Sequence, residues 1–133
     1  MERTTEQRVR QIAALLGLGS LAFGVFPLVA PRQFGEIFGI EGAERPTVLA
    51  AVRSVGVRDA VLGIGLWSAA THGGRYAPWL LARALSDAGD AIAVALALRG
   101  GARSPRFLLL GGLAVGASLV GAILYGVARR ARP

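Results

Sequence analysis

The chain has 133 residues, of which 53% are hydrophobic, a mean hydropathy of +0.53 and no cysteine. A soluble domain of this size seldom reaches such values, because it must cover its core with polar surface, and the length suits one domain, residues 1–133. All 15 basic residues are arginine, against 8 acidic ones. They stand mostly at the ends of apolar runs and in short loops, which is the pattern of headgroup contact and topology control, and nucleic-acid binding is set aside. Without cysteine there is no disulfide, no thiol catalysis and no cysteine-based metal site.

The polar start MERTTEQRVRQ reads as a helix opening, with Thr4 and Gln7 in the spacing of a capping box. Ile12 to Ala30 then carries no charge and is long enough to cross the roughly 30 Å hydrocarbon core. A signal peptide is the competing reading. The run is long for such a segment, and Leu28 occupies the position where a small residue should precede cleavage after Ala30. A retained first span, about residues 9–30, is expected.

Pro27 and Pro31 tighten and end that span. In the following PRQFGEIFGI, Phe34, Ile37 and Phe38 fall at i, i+3 and i+4, which predicts a short helix lying in the membrane interface; an ordinary loop is the alternative. Pro46 opens the second span, about 47–70. It carries Arg53 near one end, within reach of the surface, and Arg58 and Asp59 near its middle. Gly56 and Gly63 share the face of Asp59, so another helix can approach closely there.

His72-Gly73-Gly74-Arg75 makes a turn, and Pro78 opens the third span, about 77–98. Arg83, Asp87 and Asp90 fall at about 0°, 40° and 340° on its helical wheel, one narrow charged stripe. Gly100 and Gly101 end it. The fourth span, about 107–128, has no charge, and its Gly112 and Gly116 form a GxxxG face suited to packing or to a homodimer.

The expected fold is therefore all-α: a polytopic, multi-pass cell-membrane protein with four transmembrane helices and a short interfacial helix after the first. Arg3, Arg8, Arg10, Arg75, Arg129, Arg130 and Arg132 would lie on one side, against Arg32, Arg45, Arg99, Arg103 and Arg106 on the other, a bias that places both termini in the cytoplasm. Trp67, Tyr76, Trp79 and Tyr125 would form an aromatic belt on that same side.

Function should lie in the charges. A charge at mid-membrane costs about 2.5–3.5 kcal/mol on insertion scales, so these groups must face each other, water or a ligand. The three arginines Arg53, Arg58 and Arg83 balance the three carboxylates Asp59, Asp87 and Asp90. Spans two and three are expected to pack face to face, with Arg58 reaching Asp87 or Asp90 and Arg83 reaching Asp59 or Asp87. Such pairs can simply fix the register of a small bundle.

They also suit an intramembrane acid–base site, an enzyme acting on a lipophilic small molecule from the bilayer by isomerisation, epoxide opening or cyclisation. In it Asp87, Asp90 and Asp59 would be catalytic, while Arg53, Arg58 and Arg83 pair charge or bind substrate. A proton-coupled small transporter or channel and a non-catalytic accessory subunit are the alternatives. No cofactor or metal is expected: Asp87-x-x-Asp90 lacks the second acidic cluster of a Mg-diphosphate motif. His72 lies in a turn, Ser54, Ser68, Ser86 and Ser118 have no histidine beside them in a span, and Gly63-x-Gly65 lies inside a span, so neither a Ser-His hydrolase nor a dinucleotide loop is indicated.

The segments FPLVAPRQFGEIFGI, RSVGVRDAVLGIGL and LLARALSDAGDAI resemble small bacterial and fungal four-span membrane proteins grouped only as a domain of unknown function, neighbours of the DoxX-like group. The RxxGxRD stretch (Arg53, Gly56, Arg58, Asp59) is the most specific part of the likeness. The resemblance implies a four-helix membrane fold with a shared polar centre, and no activity.

Overall fold

The computed structural model describes residues 2–102 and 104–130. Of the arginines counted for topology, Arg103, Arg132 and the side chain of Arg3 lie outside the described residues. Five helices follow one another: α1 (Glu2–Val29), α2 (Pro31–Ile37), α3 (Pro46–Thr71), α4 (Ala77–Arg99) and α5 (Pro105–Arg130). Prolines open α2, α3 and α5, where the missing N–H would have had no partner in any case. Gly73 (φ 75°) and Gly101 (φ 105°) take the left-handed conformation in the turns after α3 and α4, a region that disfavours a Cβ. Because α1 already runs from Glu2, Thr4 stands inside the helix and is not its cap, as the sequence had suggested.

The chain is all-helical among the described residues, and two of its helices, α1 over Thr4–Val29 and α5, are long and apolar enough to cross a membrane. The others of similar length, α3 and α4, carry charges in their middle.

The long helices form two antiparallel pairs, α1 with α3 and α4 with α5, and the pairs touch each other sparsely. This corrects the expectation that α3 and α4 pack face to face. The glycine face beside Asp59 is taken by α1, because α1 carries its own glycines in register. A Cβ at Gly63 would lie 2.7 Å from the Gly17 carbonyl oxygen, and one at Gly56 would lie 2.7 Å from that of Gly24. Backbone meets backbone on this seam, a contact that only small residues permit. In the other pair, Gly111 receives Val94 and Gly121 receives Ala84, while Ser118 Oγ donates to the Ala84 carbonyl at 2.9 Å. Gly112 and Gly116 face open space.

The two ends of the bundle differ. At the end carrying the chain termini, Val9, Leu66, Tyr76, Leu80 and Leu124 close a continuous core, with Trp79 and Tyr125 packed on it. Trp67, through the His72 ring 6.0 Å away, belongs to this end as well. At the other end α2 lies across α1 and α3. Phe34 is 3% exposed, with ring centroids 5.4 Å from Phe23, 5.6 Å from Phe26 and 4.7 Å from Phe38. Ile37, expected on the same face, points outward at 53% exposure, since a seven-residue helix tucked under α1 buries only one edge.

Candidate functional site

Between the two helix pairs, on the α2 side, lies a cavity of about 600 Å³. Its walls come from every helix, and most of its lining is small or apolar: Val48, Val52 and Val55 on α3, Val94 on α4, Ala114 and Ala117 on α5. Phe34 and Ile40 close it toward α2. The charged residues lining it are Asp59, Arg83, Asp87 and Asp90, all at the middle of the bundle. Ala51 on α3 and Ala93 on α4 also line it and are exposed, so the cavity is open to the outside along the seam between these two sparsely touching helices.

The charges form one connected network. Arg58 grips Asp90 with both ends of its fork, Nη1 donating to Oδ1 at 2.7 Å and Nη2 to Oδ2 at 2.6 Å. The same guanidinium donates to Asp59 Oδ1 from Nε at 3.1 Å and from Nη2 at 2.9 Å. On α4, Arg83 Nε donates to Asp87 Oδ2 at 2.9 Å, and its Nη1 lies 3.7 Å from Asp59 Oδ1. Bidentate, charge-assisted bonds of this kind fix both side chains in one geometry. Asp59 and Asp87 are each 3% exposed, whereas the Arg58 and Asp90 side chains keep about a third of their surface, 35% and 31%. The Arg58–Asp90 pair therefore forms the outer lip of the seam and Asp59, Arg83 and Asp87 its interior.

Three features were not anticipated from the sequence. Arg53 is exposed on the flank of α3 and lines neither cavity, because five residues of helix turn it well away from Arg58. The network thus holds three carboxylates against two guanidinium groups and is not the neutral set of six. Ser20 on α1, buried at 5%, belongs to it: its Oγ donates to the Asp59 carbonyl at 3.0 Å and accepts from Arg83 Nη1. Ser20 is the one side chain with a hydroxyl in the charge-free run of α1, a signal that could have singled it out. Finally, a second cavity of about 180 Å³ lies between α1, α4 and α5 and shares Phe23, Arg83, Asp87 and Ala117 with the first.

Among the described residues, Asp87 Oδ1 and Asp59 Oδ2 accept no hydrogen bond from the protein, and both residues line the larger cavity. No grouping of three acidic or histidine side chains able to hold a metal ion occurs among the described residues. Asp90 has both oxygens occupied by Arg58. The free acceptors are therefore on Asp59 and Asp87, at the polar end of an otherwise apolar chamber.

The model of one family, described as a domain of unknown function (DUF4267), matches residues 17–124, most of the chain, and the chain belongs to that family. The match spans the α1–α3 glycine seam and every member of the charged network. No curated protein and no solved structure matches the chain.

Proposed function

We propose that this member of the family is a four-span integral membrane protein whose cavity takes a lipophilic small molecule from the bilayer and acts on it by acid–base chemistry. On this reading α3 and α4 cross the membrane beside α1 and α5, the termini are cytoplasmic and α2 lies in the opposite interface. The charged middles of α3 and α4 are turned toward each other and toward the cavity, as intramembrane charges must be. A single observation carries the proposal: a largely apolar cavity of about 600 Å³, open along a helix seam, ends on two buried carboxylates with free oxygens. Apolar chambers with a few convergent polar groups are the usual form of small-molecule sites. Fully paired charges with no cavity would have favoured an accessory subunit.

The carboxylates divide the work by their partners. Asp90, held bidentately, stays a fixed acceptor that positions Arg58. Asp59 and Asp87 flank Arg83 and each keep an oxygen for a proton or a substrate group. With three carboxylates against two guanidinium groups, the network has room for one proton, which one of the pair can give while the other stays ionised.

The test uses the full chain, gently extracted and purified. Native mass spectrometry should find one lipophile per chain, and Ala114→Phe, which fills the cavity, should lose it. In deuterated water the parent should place carbon-bound deuterium in that molecule, which survives back-exchange into ordinary water, and Asp87→Asn should not. A protein that carries nothing and takes up none of a panel of lipophiles sinks the reading; retention without deuterium exchange sinks its chemical half.

Proton-coupled transport is the second reading, favoured by the smaller cavity beyond the Arg83–Asp87 pair. It requires water access from both sides, and proton flux in sealed proteoliposomes that is lost in Arg83→Gln would support it. The outward Gly112 and Gly116 face suits a homodimer, which Gly116→Leu should disrupt in native mass spectra.

A further inference from the structure

Resting on the reading of the cavity as a lipophile site, we infer that the head group it recognises is a hydrogen-bond donor, an ammonium or a hydroxyl, and that lipophilic carboxylates and phosphates are rejected. Two independent observations carry this. The first is the charge count once Arg53 is outside: Asp59, Asp87 and Asp90 face only Arg58 and Arg83, so the network has one negative charge in excess when all are ionised. The second is the state of the individual atoms. Asp87 Oδ1 and Asp59 Oδ2, on side chains with 4% of their surface exposed, accept nothing from the protein and belong to residues that line the cavity.

Most of the donors, by contrast, are engaged within the network. Arg58 does not line the cavity, and its Nε, Nη1 and Nη2 are all committed to Asp59 and Asp90. Arg83 lines it, but its Nε is on Asp87 and its Nη1 on Ser20. That leaves Nη2, which a hydroxyl oxygen can accept from while its own proton goes to Asp87 or Asp59. An anion brought to the same point would add to a network in which three carboxylates already share two guanidinium groups, and would have to displace Asp59 or Asp87 from them. Neutral acceptors without a proton would leave the carboxylate oxygens unmatched, which is costly for buried acceptors. At about 30 Å³ per water-sized unit, the chamber has room for about 20 such units, enough for a medium-length alkyl chain or a small polycyclic body.

The experiment compares matched probes that share one dodecyl chain, namely dodecylamine, 1-dodecanol, dodecanoate and dodecane, by native mass spectrometry of the full chain in one detergent. Dodecylamine should be retained most strongly, 1-dodecanol next, and dodecanoate and dodecane at least about tenfold less. Asp87→Asn should lower dodecylamine retention about tenfold and 1-dodecanol retention less, since the amide oxygen still accepts. Ala114→Phe, away from the network, should lower all of them together. Dodecanoate retained as well as the amine, or dodecane retained as well as either, overturns the inference while the cavity reading stands. If none of the four is retained, both fall.

Discussion

The same four long helices are solid at one end and hollow at the other. On the terminal side the facing positions are large, Leu66, Tyr76, Leu80 and Leu124, set against the small Ala13, Ala70, Ala77 and Ala128, so large fills small and the core closes. On the α2 side, Val52 and Val55 face Ala93, Ala114 and Ala117, small against small, and a chamber remains. The α2-side half also differs in its backbone, since Pro27 lies inside α1 there. The charged network stands at the boundary between them, facing the chamber on one side and, through Arg83 and Asp87, the smaller cavity of about 180 Å³ on the other. Small side chains at these facing positions leave the space in which the proposed ligand would sit.

The strongest blow to this arrangement is at the boundary. Arg83→Ala should destabilise the fold by about 3–5 kcal/mol, because Asp87 loses its partner in a buried site. The double variant Arg83→Ala with Asp87→Ala should recover much of the loss, measured as thermal unfolding in detergent. If the double variant is as damaged as the sum of the singles, the two side chains are not energetically coupled.

Truncation in each half separates them next. Leu80→Ala, at a fully buried position, should cost about 2–5 kcal/mol. Val55→Ala, on a wall that already faces empty space, should cost less than about 1 kcal/mol, since no new cavity is created inside packed atoms. Equal losses at the two positions would mean that the α2 side is as tightly packed as the other.

A smaller effect tests the helix pairing. Gly63→Ala drives a Cβ to 2.7 Å from the Gly17 carbonyl and should cost about 1–3 kcal/mol, whereas Gly112→Ala meets nothing within 4 Å and should stay within about 0.5 kcal/mol. The smallest change is expected for Ala114→Phe. It should leave stability within about 1 kcal/mol, because the ring enters existing space, and yet abolish lipophile retention. A large loss of stability there would show that the chamber closes in the folded protein.

The amino-acid sequence alone determined most of the local structure. Apolar runs bounded by proline and glycine specified the long helices and their turns, and the stripe on α4 narrowed the partner of Arg83 to Asp59 or Asp87, of which Asp87 at i+4 is the closer. The cost of burying a charge required Arg58 to find a partner across the bundle, and Asp90 is that partner. These are decided within one helix or by elementary electrostatics, so periodicity and charge suffice to read them. Only the tertiary structure decided that α3 backs onto α1, that Arg53 stays outside while Ser20 comes in, and that one half of the bundle is hollow. The physical reason is that periodicity says which face of a helix is buried but not which neighbour covers it, and a cavity is a difference of volumes summed over all the facing helices at once.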